Sequence, residues 1–379
     1  MAPPTGVYRA DHVGSWLRPK AVLDARQQFA EEKISAAELR AVEDKYIEDV
    51  VTKQLENGVQ SITDGEFRRA YFHLDFLKQL DGVKVTGAIK SSGAIKNGWA
   101  PPVLTVEGKL GHPRSIQVDD FKYLEAAIAR NKAAGAMTKV AIPSPTMVHF
   151  RGGRASIDIN SYPDLDLFFE DLAKVYQEEL DDLYKAGCRF VQLDDTNLAY
   201  LCDPKMRDQA EARNEDLTSL PKKYAELINA AISKRPADMT IGIHLCRGNY
   251  QSQWFASGGY EPVAEVLFKD LNVDAYFLEY DDARSGDFSP LRFLPENKVV
   301  VLGLMSSKKN TLDDKDEIVK RLHEAAKYCP KGLDQLCLSH QCGFSSTAEG
   351  NQLTEEEQWA KMRLNVEIAK SVWGDDLSK

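Results

Sequence analysis

Thr240-Ile241-Gly242-Ile243-His244-Leu245-Cys246 is a short apolar run that ends on a histidine and a cysteine and meets the polar turn Arg247-Gly248-Asn249. Runs of this length with such boundaries suit a strand buried on both faces of a parallel sheet. Seven similar runs occur, at 8–14, 58–63, 138–143, 189–194, 274–279, 299–304 and 335–340. Amphipathic segments lie between most of them and predict helices over 39–57, 164–186, 216–233, 260–270 and 313–328. In the second of these, Leu165, Phe168, Leu172, Tyr176, Leu180 and Leu183 form one stripe, and Gly187 supplies the stop. A last helix opens with the capping-box spacing of Thr354-Glu355-Glu356-Glu357. Eight strands alternating with helices predict an α/β fold, the (β/α)8 barrel. The rival doubly wound sheet lacks its Gly-rich phosphate turn after the first run. Residues 81–118, rich in Gly and Pro, read as an inserted hairpin or lid, and 143–162 as a long loop at a strand end. With no repeat or linker, residues 1–379 read as one domain.

Composition narrows the function classes. With 48 basic against 58 acidic residues the net charge is −10, which argues against nucleic acid or an anionic membrane as the main partner. No apolar run approaches the ~20 residues of a membrane helix, and Met1-Ala2-Pro3-Pro4-Thr5-Gly6 lacks the character of a signal peptide. A cytoplasmic protein is expected. Its six cysteines, at 188, 202, 246, 329, 337 and 342, then point to metal or reactive roles rather than a disulfide framework. Cys188 and Cys337 fall in or beside apolar runs and read as core thiols.

In a (β/α)8 barrel functional groups collect at the C-terminal ends of the strands. That rule brings His244, Cys246, Glu279 and Cys342 to one rim, and imidazole, carboxylate and thiolate are the ligand types of Zn²⁺. Such a centre predicts binding of a substrate thiol and a lowered thiol pKa, so that sulfur reacts as thiolate near neutral pH.

The motifs His244-Leu245-Cys246-Arg247-Gly248-Asn249, Phe277-Leu278-Glu279-Tyr280-Asp281 and Cys342-Gly343-Phe344 resemble the catalytic C-terminal barrel of the cobalamin-independent methionine synthase family, in its single-barrel form. The resemblance runs from Asp11-His12-Val13-Gly14-Ser15 to the helix ending near Trp373. It implies a (β/α)8 barrel, also found in uroporphyrinogen decarboxylase and epoxyalkane:coenzyme M transferase. By resemblance the four residues above are the zinc ligands. Val13, Gly14 and Ser15 receive an amino acid carboxylate, and Glu66 and Asp194 grip its ammonium. The implied reaction is methyl transfer to a thiol, homocysteine in the family. Against this stands a salt-bridge role for Glu66 and Asp194 with Arg68 or Arg69.

The chain also departs from the family. The full-length synthases carry a second, N-terminal barrel, for which these residues are expected to hold no counterpart. The stretch Leu302-Gly303-Leu304-Met305-Ser306-Ser307 has no histidine where the folate enzymes place one to protonate the departing nitrogen. This leaves methyltetrahydrofolate and methylcobalamin both open as methyl donors. His340 has three readings (replacement acid, competing ligand, packing residue), with packing the leading one. Ile142-Pro143-Ser144-Pro145-Thr146-Met147 aligns with the pterin-side loop but lacks the expected stacking Trp, leaving Trp16 and Trp99 as flat surfaces. Lys90, Lys96, Arg151 and Arg154 are candidates for a polyglutamate tail, with scattered surface charge as the alternative. Two other functions fit the same ligands: an alkyl- or epoxide-thiol transferase or C–S lyase, and a non-catalytic barrel with a structural zinc.

Overall fold

The structure, a computed structural model, describes residues 1–88 and 102–379. Its strands are β1 (Ser61–Ile62), β2 (Asp81–Ala88), β3 (Pro102–Gly111), β4 (Met137–Thr138), β5 (Val140–Pro143), β6 (Phe190–Asp195), β7 (Thr240–Leu245), β8 (Ala275–Glu279), β9 (Val299–Met305) and β10 (Leu336–His340). Strands β5 to β10 form one parallel sheet in chain order, and β1 pairs in parallel with β4. The chain follows a (β/α)8 barrel, as expected. Strands β2 and β3 stand apart as an antiparallel pair within the 81–118 segment.

The first apolar run is the irregular one. Residues 8–14 form no ladder strand, yet Asp11 N donates to Leu338 O at 2.9 Å and Leu338 N to Arg9 O at 2.8 Å, tying the run to β10. Toward β1, side chains replace the ladder: Thr63 Oγ1 donates to Gly14 O at 2.6 Å, and a His12 ring nitrogen lies 2.6 Å from Ser61 O. The Asp11 carboxylate accepts from Tyr8 N, His12 N and Lys139 Nζ. Lys139, between β4 and β5, is fully buried, so its charge and that of Asp11 must be paired to be tolerated.

Alternation along the strands sorts the side chains. Phe190, Ala275, Phe277, Val299, Val301 and Cys337, together with Val7, form one buried cluster. Continuing the same parity toward the strand ends gives Asp194, His244 and Glu279. A separate, larger cluster packs the strands against helices such as Leu165–Ala186. Cys188 and Cys337 are both fully buried, as the sequence predicts.

Helix boundaries follow local chemistry. Ser35 and Glu38 close a capping box on Ala36–Glu56, and Thr354 and Glu357 do so on Glu355–Trp373. Gly187, at φ 112°, ends Leu165–Ala186 in the left-handed region. The 216–233 prediction begins late, at Leu220, because Asp216 takes the Thr218 amide into a turn first. The predicted helix 260–270 is instead a 3₁₀ turn, Glu261–Val263, and a π turn, Val266–Asp270. Pro262 removes an amide from the opening turn. Helices Lys20–Ala30, Val118–Arg130 and Pro204–Ala212 are additional. Among the described residues no helix is long and apolar enough to cross a membrane.

Candidate metal centre and adjoining carboxylates

Strands β7 and β8 and the turn after β10 bring His244, Cys246, Glu279 and Cys342 together, all buried, with ligand atoms within 4.8 Å of one another. Cys246 Sγ and Cys342 Sγ are 3.5 Å apart. Two thiolates on one tetrahedral zinc, at bond lengths of ~2.3 Å, would be separated by ~3.7 Å. His244 Nδ1 lies 3.2 Å from Phe277 O, which leaves Nε2 without a partner. Glu279 Oε1 accepts from Arg247 N at 2.7 Å, whereas Oε2 has no hydrogen bond. Buried polar atoms without partners are costly. One imidazole nitrogen, one carboxylate oxygen and two sulfurs therefore fit a metal ion.

Electrostatics agree with that donor set. The hydrogen bond from Cys246 holds the Cys342 thiol well below its ordinary pKa against the effect of burial, and the same contact with burial pushes Cys246 up. Arg284 Nη2 stands 3.6 Å from Glu279 Oε2 and is itself held by Asp281 and Asp282. Sequence reading missed Arg284. It lies in an acidic turn with no spacing signal, and only the fold of that turn returns it to the ligand.

The second group of candidates adjoins the first. Asp194 is the register partner of His244 across β6 and β7. Its pKa is lifted to about 6, by burial against the opposing His244 charge, with Cys342 adding to the rise. Glu66 is lifted to about 7 by burial, opposed by Arg69 and aided by Asp194. Asp194 thus interacts with Glu66 on one side and with the metal candidates on the other. Glu66 Oε2 has no hydrogen-bond partner, and its backbone is held at φ 60°. Arg68 is engaged with Glu43, Asp44 and Asp120. Arg69 Nη2 donates to Gln117 Oε1 and Ala141 O. Among the described residues neither arginine makes an ion pair with Glu66 or Asp194 within 4.0 Å.

The Val13-Gly14-Ser15 turn is wired to both groups. Gln192 Nε2 donates to Val13 O at 2.6 Å and to Asp194 Oδ1 at 2.7 Å. Ser345 N donates to Ser15 Oγ at 3.2 Å, and Phe344 N to Ser15 O at 2.9 Å. A Cβ on Gly343 would fall 2.0 Å from Ser15 Oγ, so any side chain at this position beside Cys342 would displace the Ser15 hydroxyl.

Other candidates fall elsewhere. His340 is buried with both ring nitrogens unpartnered, its ring centroid 5.0 Å from that of Phe344 and outside the four-ligand group. Burial holds its pKa well below the ordinary imidazole value, with Lys361 and His12 adding to the effect. Trp16 is fully buried among His12, Phe344 and Trp359, so it offers no open stacking face. Arg154 spends Nη2 on Tyr162 O at 2.6 Å, and Arg151 bears on His73 and Tyr200. Lys90, Lys96 and Trp99 lie outside the described residues.

Comparison with known proteins places this arrangement. Residues 9–371 match the catalytic domain of cobalamin-independent synthase. The uncharacterized protein YxjH of Bacillus subtilis (strain 168) is 44% identical over 367 residues, covering 97% of this chain and 95% of its own. A solved Listeria monocytogenes chain, assigned as a vitamin-B12-independent methionine synthase, is 38% identical with a TM-score of 0.77 and 99% coverage of both chains. The 5-methyltetrahydropteroyltriglutamate–homocysteine methyltransferase of Bacillus licheniformis is 22% identical, covering 96% of this chain but 42% of its own length. On the match across nearly its whole length, the chain belongs to the family of cobalamin-independent synthase catalytic domains, and is an enzyme of the methyltransferase type.

Proposed function

We propose that the protein is a zinc-dependent methyltransferase that methylates the thiol of an amino acid, with homocysteine as acceptor and methionine as product. The observation that carries this reading is the position of Asp194, between Glu66 and the His244–Cys342 side of the metal candidates. A small molecule with an ammonium at one end and a thiol at the other would satisfy both groups. His244, Cys246, Glu279 and Cys342 would hold the zinc. Bound there, the metal would supply a Lewis acid that lowers the pKa of the acceptor thiol, keeping sulfur nucleophilic near neutral pH.

The chain's own residues do the rest. Glu66 and Asp194 are buried carboxylates with neither guanidinium in ion-pair contact, so an incoming ammonium would restore their charge balance. The Gly14-Ser15 turn, held against Gly343, would receive the carboxylate of the same molecule. His340, neutral and packed on Phe344, supports a packing role rather than an acid or a fifth ligand. The donor is a methylated folate or methylcobalamin.

Binding measurements test the acceptor assignment. Glu66→Gln and Asp194→Asn should weaken homocysteine binding tenfold or more, since each charge-assisted contact contributes about 1.5–3 kcal/mol. A thiol without the amino group should bind these variants as it binds the parent. Equal losses for both thiols would contradict the ammonium assignment.

A further inference from the structure

Beyond the metal candidates, the loop after β9 brings an unassigned cation, Lys308, against the loop that carries Cys246. Ser307 N donates to Gln341 Oε1 at 2.6 Å and Ser307 Oγ to Gly343 O at 3.0 Å. Asn351 Nδ2 donates to Ser307 O at 2.8 Å, so three contacts pin the backbone immediately before Lys308. Lys308, half-buried, extends from this anchored point across to the loop after β7, where Nζ lies 3.4 Å from Gly248 O. Gly248 N in turn donates to Cys246 Sγ at 3.3 Å. Among the described residues Lys308 makes no ion pair within 4.0 Å. Gly248 thus joins the Lys308 ammonium, through its carbonyl, to the Cys246 sulfur, through its amide.

An ammonium without an ion-pair partner, set on the loop that carries Cys246, has a direct chemical use. In a displacement at methyl carbon, the departing atom lies on the far side of that carbon from the attacking sulfur. With the acceptor sulfur at the buried Cys246–Cys342 pair, Lys308 serves the departing atom if that atom lies on the side of the loops after β7 and β9, where Nζ is 3.4 Å from Gly248 O. A donor that carries its methyl on nitrogen, as the name of the Bacillus licheniformis relative specifies, departs poorly as an amide-like anion. It needs a proton as the bond breaks.

We propose that Lys308 is the proton donor to the departing nitrogen of an N-methyl donor in this methyl transfer. This rests on the thiol-methylation reading above. The thiolate electron pair forms the S–CH₃ bond and the C–N pair returns to nitrogen. That nitrogen takes a proton from the Lys308 ammonium, and the resulting neutral amine, half-exposed, regains a proton from solvent.

The test uses full-length, zinc-loaded protein, homocysteine, and two donors, methyltetrahydrofolate and methylcobalamin; the second leaves without a proton. Lys308→Gln should lower folate turnover by ~10²–10⁴-fold, the range general acid catalysis contributes, and leave cobalamin turnover within about threefold. Zinc content, homocysteine affinity and unfolding temperature should match those of the parent, which separates proton transfer from damage to the metal or the fold. Lys308→Arg should fail to restore folate turnover, because guanidinium keeps its proton. Unchanged folate turnover in Lys308→Gln, equal losses with both donors, or full activity in Lys308→Arg would each overturn the proposal. A parent protein that binds zinc but methylates homocysteine from neither donor would instead overturn the thiol-methylation reading, and this inference with it.

Discussion

Glu66 changes charge near neutral pH in the ligand-free protein, because burial and the adjacent Asp194 outweigh Arg69 and lift its pKa to about 7. The ordinary value is 4.5, so between these limits the folded chain holds a proton that the unfolded chain has released. The stability contributed by the protonated acid is therefore complete below the unfolded pKa and is lost as pH rises through the folded one. An ammonium ligand reverses the balance by favouring the carboxylate. L-Methionine is a clean probe, since its thioether does not titrate. Its affinity should rise by up to about tenfold per pH unit below about pH 7 and then level off. Calorimetric titration should give a weaker profile for Glu66→Gln that is flat between about pH 6 and 7 and falls only below about 6, where Asp194 takes up its proton. A rise between about pH 6 and 7 that survives the substitution would assign that titration to a group other than Glu66.

The element scale explains why the rim is so sensitive to one glycine. The first strand position and the turn after β10 meet where Ser15 packs on Gly343, one residue from Cys342. Gly343→Ala would drive its Cβ into Ser15 Oγ, turning the hydroxyl away from Ser345 N, and would press the Ser15 backbone outward by a few tenths of an ångström. We expect a loss of about 1–3 kcal/mol in stability and a fall in bound zinc, read by thermal unfolding and metal analysis. Full metal content with an unchanged melting temperature would contradict this coupling. Elements of this kind were unevenly legible in the sequence. Leu165–Ala186 was readable because a helical stripe ended on Gly187. The run 8–14 had the composition of a strand, but its seam toward β1 is held by Thr63, His12 and Lys139 side chains, which no periodicity encodes. Val118–Arg130 was obscured because its first turn fell at the edge of the Gly-rich 81–118 stretch. At the site, the four ligand candidates were legible because each ends an apolar run. Arg284 and Lys308 were not, since both arrive from irregular turns, and Lys308 lies one residue beyond the stretch 302–307 that corresponds to the family's histidine.

At the scale of the molecule, Phe190, Phe277 and Val301 lie on the same parity as Asp194, Glu279 and Gly303, so a largely apolar layer, with the self-paired Lys139 and Asp11 packed on its rings, underlies the site. This low-dielectric base strengthens charge interactions above it and makes His244 Nε2 and Glu279 Oε2, neither with a hydrogen bond and the latter with only Arg284 at 3.6 Å, costly without a metal. The account stands on that centre. The most direct measurement is zinc stoichiometry by mass spectrometry of purified, full-length protein and of a Cys246→Ser, Cys342→Ser double variant. The account predicts about one Zn²⁺ per parent chain and little in the folded variant, which has lost both soft ligands. Stoichiometric zinc in the double variant, or none in a parent protein supplied with the metal, would contradict it.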